Sequence, residues 1–245
     1  MVYEIRRKHS KMGGKKLYSK LEDDIHLLDK GFGRDKFFKL LRDNDLLIKK
    51  TRKYAITTNS FHHFYKYGDL FNGVIFDRPN KAYVGDITYI RTVKGFVYLS
   101  LLTDSYSRKI VGYAVCLSLE TVGPLGALRM ALKQCPEPKT LVHHSDRGVQ
   151  YCSYEYVNVL KGAGVKISMG EAGNCYDNAK AERVNGILKQ EYGLDDTFFS
   201  IVEVCKAVKQ GIWLYNQERP HWGIGLKTPS QVHLTTNLST KFVDC

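Results

Sequence analysis

Three acidic residues occupy positions at which packing alone does not explain a carboxylate. Asp86 lies in the middle of a predicted strand, where an ionised side chain is costly unless it is hydrogen-bonded, paired or bound to a metal. Asp146 directly follows another predicted strand, in the kind of loop that often forms sites. Glu182 lies in the first turn of a predicted helix, 36 positions after Asp146. These three residues are the candidate catalytic acids.

Three carboxylates gathered at one point suit hard divalent cations. Mg²⁺ prefers oxygen ligands, takes few protein groups and keeps waters and substrate oxygens. Two such ions about 4 Å apart can clamp the in-line displacement of a phosphoryl transfer. We therefore expect Asp86, Asp146 and Glu182 to hold two Mg²⁺ ions, with Mn²⁺ able to substitute. Without metal, the carboxylates would repel one another and at least one pKa would rise.

Lys189 shares one face of its predicted helix with Glu182. The two residues are seven positions apart, which is two helical turns, whereas Val184 and Ile187 belong to the buried stripe. A carboxylate and an ammonium group aligned in this way can serve a metal and a phosphate respectively. The alternative is that Glu182 and Lys189 are an ordinary pair of surface residues seven positions apart. Without the other two acids, the spacing alone would favour that alternative.

The elements that position these residues predict an α/β fold. Segments rich in β-branched and aromatic residues predict strands at 82–92, 96–103, 109–118, 140–144 and 165–169. The predicted helices are 121–134, 153–162 and 179–192. This order gives a mixed sheet, a three-strand meander plus parallel strands, with helices packed on it. It is the element order of the ribonuclease-H-like fold.

The first 55 residues are basic and predict a helix-turn-helix-like DNA-binding region. Helical periodicity runs over 15–30 and 34–48, and Gly31 and Gly33 break it between them. The candidate DNA-contacting residues, besides Lys189, are Lys36, Lys39 and Arg42 on the second helix and Lys49, Lys50, Arg52 and Lys53 in the arm that follows. The alternative is a helical hairpin with a solvated charged surface.

The rest of the chain divides into three predicted parts. Residues 56–79 are a linker, 80–195 the catalytic core and 196–245 a helical C-terminal extension. In that extension, Ser200 and Glu203 match a capping box, and Thr228 followed by proline matches a helix start.

Charge and composition favour a polyanionic partner in a reducing compartment. The net charge of the 245 residues is +12, and residues 1–60 hold 16 Lys or Arg against 8 Asp or Glu. The six cysteines form no C-x-x-C pair, which is typical of reduced thiols. The N-terminus lacks the apolar core of a signal peptide, and no apolar run approaches the length needed to cross a membrane. We expect a cytoplasmic protein without a membrane partner.

The residues around the acids carry a family resemblance. The strings are Asp86-Ile87-Thr88-Tyr89, Thr103-Asp104-Ser105-Tyr106-Ser107-Arg108, His143-His144-Ser145-Asp146-Arg147-Gly148 and Asn178-Ala179-Lys180-Ala181-Glu182-Arg183-Val184-Asn185-Gly186. Near the C-terminus they are Tyr215-Asn216, Arg219-Pro220-His221 and Thr228-Pro229. Together they resemble the catalytic second-frame protein of IS-three family insertion-sequence DDE transposases, which are related to retroviral integrases.

The resemblance implies a mechanism and partners. The three acids would be the catalytic triad, Lys189 would contact DNA near the cleaved end, and metal-dependent strand cleavage would precede attack by a 3′ hydroxyl. A homo-multimer on DNA is expected because two ends need two active sites. The family also implies an upstream-frame protein or frameshift fusion for end recognition, and a bacterial cytoplasm with nucleoid association. The competing functions are another ribonuclease-H-like endonuclease and a catalytically silent DNA-binding protein derived from a transposase.

Overall fold

A mixed five-stranded sheet forms the centre of the computed structural model. The structure describes residues 1–48, 61–170 and 175–239, and for residues 175–181 and 235–239 it describes the backbone alone. The strands are β1 (Ala82–Thr92), β2 (Gly95–Asp104), β3 (Ile110–Cys116), β4 (Val142–Ser145) and β5 (Lys166–Met169). Their spatial order is β3-β2-β1-β4-β5. β1, β2 and β3 pair antiparallel, while β4 pairs parallel with both β1 and β5. The predicted meander plus parallel strands is confirmed.

Helices surround the sheet and precede it. They are α1 (Val2–Lys8), α2 (Gly14–Leu28), α3 (Arg34–Asp43), α4 (Val122–Gln134), α5 (Val149–Cys152), α6 (Tyr154–Gly162), α7 (Cys175–Glu191), α8 (Ile201–Gln217) and α9 (Pro229–Ser239). α3 ends earlier than the predicted second helix because Asp45 takes a left-handed backbone, with a φ of 53°. α7 begins earlier than predicted, so Glu182 lies about two turns inside it and not in its first turn.

The two faces of the sheet bury separate cores. One face packs on α4, α5 and α6 around residues such as Tyr83, Ile87 and Leu128. The other packs on α7 and α8 around residues such as Leu99 and Val208. Successive residues of a strand point to opposite faces. In β1 this alternation directs Ile87 to the first core and leaves Asp86 on the side of α7.

The N-terminal helices have a small core of their own and contact the main body. Leu17 and Leu21 of α2 pack on Phe37 and Leu41 of α3, which confirms two packed helices. Their polar side chains also reach the end of α7 and of α8. One such contact is the ion pair between Lys16 and Glu191, at 3.2 Å.

Residues 61–79, within the predicted linker, contain no helix or strand and lie along the β4–β5 side of the sheet. The Leu70 backbone N–H donates to Ser168 Oγ at 2.8 Å, and the Phe71 ring stacks on His144 at 4.2 Å between centroids. His62 Nε2 lies 2.8 Å from the carbonyl of Arg147, next to Asp146. The segment therefore supports the strand that leads to the candidate site.

Side-chain caps fix the start of both C-terminal helices. Ser200 Oγ accepts from the Glu203 backbone N–H at 3.3 Å, as the capping-box pattern predicts. Thr228 Oγ1 accepts from the Gln231 N–H at 3.2 Å, and Gln231 Oε1 accepts from the Thr228 N–H at 2.8 Å, which closes a second reciprocal box. No helix among the described residues is both long and apolar enough to span a membrane.

Candidate active site

Asp86 is positioned by the middle of β1 and by α7. Its Oδ2 accepts a hydrogen bond from Asn185 Nδ2 at 2.6 Å, and its Oδ1 accepts from the Ile87 N–H at 2.9 Å. The residue is half-buried, although protein atoms surround the carboxyl group. Two hydrogen bonds leave further acceptor capacity on a carboxylate, which has about four lone-pair sites.

Asp146 is held by the turn that leaves β4. Its Oδ1 accepts from the Gly148 N–H at 2.9 Å, an Asx-type bond that fixes the side chain beside the strand end. A Cβ at Gly148 would lie 2.9 Å from that same oxygen, so the turn needs glycine for the carboxylate to approach it.

Glu182 extends the acidic group from α7. It is exposed, whereas its neighbour on the same helical face, Asn185, is buried and contacts Asp86. The charges of both Asp146 and Glu182 act on the Asp86 carboxyl. The structure thus brings the three predicted acids within electrostatic reach of one another.

Burial and the neighbouring acids change the pKa of Asp86. Burial is the largest cause, and together with the negative charges of Asp146 and Glu182 it raises the pKa of Asp86 to about 7. The hydrogen bonds from Asn185 and from the Ile87 N–H oppose the rise, because they favour the ionised form. Without a cation, Asp86 is therefore protonated in a large share of molecules at neutral pH, as expected for acids that repel one another.

Tyr151 lies beneath the acids with its hydroxyl unsatisfied. The Tyr151 hydroxyl is buried and has no hydrogen-bond partner among the described residues. Burial raises the pKa of Tyr151, and the charges of Asp146 and Asp86 raise it further. A Cβ at Gly85 would lie 3.1 Å from the ring, so glycine at this position of β1 makes room for it. Tyr151 thus forms part of the floor between the two aspartates.

Lys189 reaches the same region from the later turns of α7. Its Nζ lies 4.1 Å from the centroid of the Tyr89 ring, a cation–π contact. Burial lowers the pKa of Lys189, while the nearby carboxylates of Asp195 and Asp86 act in the opposite direction. The side chain is half-buried and lies close enough to Asp86 for the two charges to interact.

Asn185 is the site residue that the sequence argument missed. It lies three positions after Glu182, a spacing that places both side chains on one helical face. Its Oδ1 is buried and has no hydrogen-bond partner in the described part of the chain. The signal was present, since an asparagine between two functional positions of one helical face has little packing value.

The predicted DNA-contacting residues of the N-terminal region lie apart from these acids. Lys36, Lys39 and Arg42 are exposed on the face of α3 opposite to its buried residues. Lys49, Lys50, Arg52 and Lys53 fall outside the described residues.

The three acids offer the type of ligand atom, carboxylate oxygen, that a hard divalent cation prefers. All three side chains are carboxylates, and the raised pKa of Asp86 means that a cation among them would relieve a repulsion already present. Among the described residues, however, no three acidic, histidine or cysteine side chains are close enough to hold a metal ion as they stand. An ion would therefore have to draw the carboxylates together, including the exposed carboxylate of Glu182, which lies about two turns inside α7.

Fold and site together define a class of polynucleotidyl transferase, and sequence comparison agrees with it. Two integrase core domain models match residues 77–175 and 163–229. A 31 kDa protein of insertion element IS600 from Shigella sonnei is 38% identical over 81% of this chain and 74% of its own length. Transposase InsF of insertion sequence IS3A from Escherichia coli is 33% identical over 78% of this chain and 67% of its own. The chain belongs to the IS3 family of insertion-sequence DDE transposases.

Solved structures are similar at the level of the fold. The catalytic core domain of HTLV-2 integrase, in complex with magnesium, covers 64% of this chain with a TM-score of 0.50 and 20% identity. A simian T-cell lymphotropic virus intasome covers 90% of this chain and 74% of its own chain with a TM-score of 0.54 and 16% identity. The ribonuclease-H-like fold expected from the element order is confirmed.

Proposed function

We propose that this DNA transposase cleaves the ends of an insertion sequence and joins them to target DNA, with Asp86, Asp146 and Glu182 as the catalytic and metal-binding residues. The observation that carries the proposal is that Asp86 contacts α7 through Asn185 at 2.6 Å, while burial, together with the charges of Asp146 and Glu182, raises its pKa to about 7. Three acids from β1, from the loop after β4 and from α7 that repel one another in this way are poised to share cations. The magnesium named with the integrase relative supports divalent metal use.

The chemistry consists of two displacements at phosphorus. In cleavage, water attacks the phosphodiester, the bond from phosphorus to the 3′ oxygen breaks, and the products are a 3′ hydroxyl and a 5′ phosphate. In strand transfer, that 3′ hydroxyl attacks a target phosphodiester, one phosphorus–oxygen bond replaces another, and no covalent enzyme intermediate forms. Two bound Mg²⁺ ions, or Mn²⁺ in their place, would supply Lewis-acid activation of the attacking and leaving oxygens.

The residues of this chain orient the reacting groups. Asn185 and the Ile87 N–H hold both oxygens of Asp86, and the Gly148 N–H holds one oxygen of Asp146. Lys189 carries positive charge beside Asp86, where it would bind a phosphate close to the cleaved end. Tyr151 fills the space behind the aspartates and excludes water there.

DNA is the proposed partner of the N-terminal helices as well. Lys36, Lys39 and Arg42 present positive charge on one face of α3, which suits the phosphate backbone. We propose that residues 1–55 bind DNA and that the chain acts as a homo-multimer, because two ends need two active sites. An upstream-frame protein or frameshift fusion would complete end recognition, at the nucleoid of a bacterial cytoplasm.

The test is a strand cleavage and transfer assay with the whole chain. Labelled duplexes that carry the element's terminal repeats are incubated with Mg²⁺, and both nicked and joined products are measured. We expect Asp86→Asn, Asp146→Asn and Glu182→Gln each to lower both reactions at least about a thousandfold while DNA binding remains. Glu155→Gln, at an exposed acid of α6 on the other side of the sheet, is the matched control and should act as the wild type does.

The alternatives give different products. Cleavage without any joined product would favour a ribonuclease-H-like endonuclease. Full transposition activity in Asp86→Asn would favour a DNA-binding protein in which these acids are not catalytic, and would overturn the proposal.

A further inference from the structure

A basic cavity, separate from the three acids, lies where the N-terminal helices meet the catalytic core. Its volume is about 320 Å³. It is lined by part of α7, by Tyr215 of α8 and by the loop after α8, where Trp222 is 58% exposed. Its lysine and arginine lining residues are Lys16, Arg108, Arg183 and Arg219, and no acidic residue is among the described side chains that line it. The cavity therefore has an excess of positive charge.

One carboxylate behind the cavity fixes two of these cations. Glu191 accepts from Arg219 Nε and Nη2, both at 2.7 Å, and from Lys16 Nζ at 3.2 Å. Arg219 is only 1% exposed, so this bidentate pair forms a rigid wall. Arg108 and Arg183 remain without a carboxylate within 4.0 Å in the described part of the chain.

Two nitrogen atoms beside the cavity lack partners. Arg108 Nη1 and His221 Nε2 are buried and make no hydrogen bond to any residue that the structure describes. A buried polar group without a partner is costly, and an acceptor bound in the cavity would remove the cost. Burial lowers the pKa of His221 to about 3, and the positive charges of Arg219, Arg108 and Arg183 lower it further. Three positive charges therefore act on the His221 side of the cavity.

Arg108 also occupies a backbone conformation that does not favour arginine. Its φ is 66°, in the left-handed region where glycine or asparagine fits with less strain. Its carbonyl accepts from the Tyr215 hydroxyl at 3.1 Å, which ties the turn to α8. A cationic side chain at such a position points to a role beyond the turn itself.

We propose that this cavity binds a phosphodiester group of the DNA backbone. The inference rests on the proposed function and adds a contact outside the three acids. Guanidinium groups match phosphate oxygens in geometry and charge, and two of them here lack a carboxylate. Arg183 directly follows Glu182 on α7, so the cavity and one of the three acids share a helix. The volume holds a phosphate and several waters, since one water takes about 30 Å³.

The experiment measures binding of a labelled 25-base-pair DNA duplex to the whole chain by fluorescence anisotropy, in Ca²⁺ and over a range of salt concentrations. Arg108→Gln and Arg183→Gln should each weaken binding about tenfold and lower the slope of log affinity against log salt by about one. Arg129→Gln, at an exposed arginine of α4 on the opposite side of the sheet, is the matched control and should stay within about twofold of the wild type.

Further arms separate the possible anions. Arg108→Asn, which suits the left-handed backbone, should fold at least as stably as the wild type and still lose DNA affinity. If inorganic phosphate raises the melting temperature of the wild type but not of Arg108→Gln, while DNA affinity is equal in both, the cavity takes free phosphate and the proposal is overturned. Loss of self-association in sedimentation, again with unchanged DNA affinity, would assign the cavity to an acidic group of another copy and would also overturn it.

The failure of this inference and the failure of the proposed function give different results. Unchanged DNA binding by Arg108→Gln and Arg183→Gln, with strand cleavage still lost in Asp86→Asn, would refute only the phosphate cavity. Wild-type cleavage by Asp86→Asn would refute the catalytic assignment, whatever the arginine variants do.

Discussion

Asp86 and Asp104 are carboxylates on neighbouring strands of one sheet, and their surroundings differ in one decisive respect. Asp104 Oδ1 accepts from the Tyr106 N–H, the Ser107 N–H and Ser107 Oγ, and its Oδ2 accepts from the Asn80 N–H. Asp86 accepts only from Asn185 and from the adjacent backbone N–H in the described part of the chain, and it faces two further acids.

Both carboxyls have raised pKa values, mainly through burial, so a raised pKa does not separate them. What separates them is what surrounds the charge. Four donors tie Asp104 into the turn between β2 and β3, whereas the two carboxylates near Asp86 repel its charge and favour a bound cation in addition to Lys189. A buried acid with its acceptor sites filled holds structure, and one with sites left open beside other acids is fitted to bind something.

The largest expected difference between Asp86 and Asp104 is the effect of their substitution on strand cleavage. Asp86→Asn should lower strand cleavage by at least about a thousandfold, because it removes a shared metal ligand, without lowering the melting temperature. Cleavage is measured with labelled element ends, and unfolding is followed by circular dichroism. A variant that unfolds readily would show that Asp86 is structural like Asp104, and the comparison would fail.

Asp104→Asn should have the opposite profile. The amide has one acceptor oxygen and turns its NH₂ toward a backbone donor, so buried donors lose their partner and stability falls by about 3 kcal/mol. Urea unfolding measures this loss. Under conditions where the variant remains folded, cleavage per folded molecule should stay within about threefold of the wild type. A selective loss of activity in a stable protein would contradict the structural role.

The pH dependence of stability should report the environment of Asp86 when the wild type is compared with Asp86→Asn. In metal-free protein the pKa of Asp86 is raised from 3.8 to about 7, so the folded state keeps a proton that the unfolded chain has lost. Stability from this group is complete below pH 3.8 and is lost as pH rises through 7. Between pH 5 and pH 8 in EDTA, the wild type should lose on the order of 2 kcal/mol relative to Asp86→Asn. Equal slopes for the two proteins would refute the raised pKa.

The smallest expected effect is that of Asn185. Asn185→Ala removes a hydrogen bond that lowers the pKa of Asp86, so at limiting Mg²⁺ the acid limb of the cleavage profile should move up by about one pH unit. At pH 7 the rate should fall about fivefold, and it should recover at higher pH. Gly186→Ala is the control, since a Cβ there meets no atom within 4 Å. A loss that is equal at every pH would exclude the positioning role.

An Asp before Ser at the end of a strand is typical of an Asx-type turn, and four hydrogen bonds show that Asp104 forms one. The sequence was sufficient for the strands, because alternation and turn residues are local signals. It was also sufficient to name Asp86, Asp146 and Glu182 as candidates, through the strings around them. Their roles stay predictions until the assays above are made.

Other features depend on contacts between distant segments and left no local pattern. The bond from Asn185 to Asp86 joins α7 to β1, and the basic cavity joins Arg108 to Arg183 and to Lys16. The start of α7 lies earlier than predicted, and Asp177 and Asn178, residue types that are common helix caps, lie inside the helix. Trp222 is mostly exposed, because the loop after α8 leaves it at the rim of that cavity.

The most direct test is anomalous diffraction from crystals of the chain with Mn²⁺ and a DNA end, collected at the manganese absorption edge. We expect peaks about 2.2 Å from carboxylate oxygens of Asp86, Asp146 and Glu182, with Asp86 shared between two ions and Asp104 without any. Peaks elsewhere, or acids that remain too far apart to share an ion while DNA is bound, would contradict the assignment.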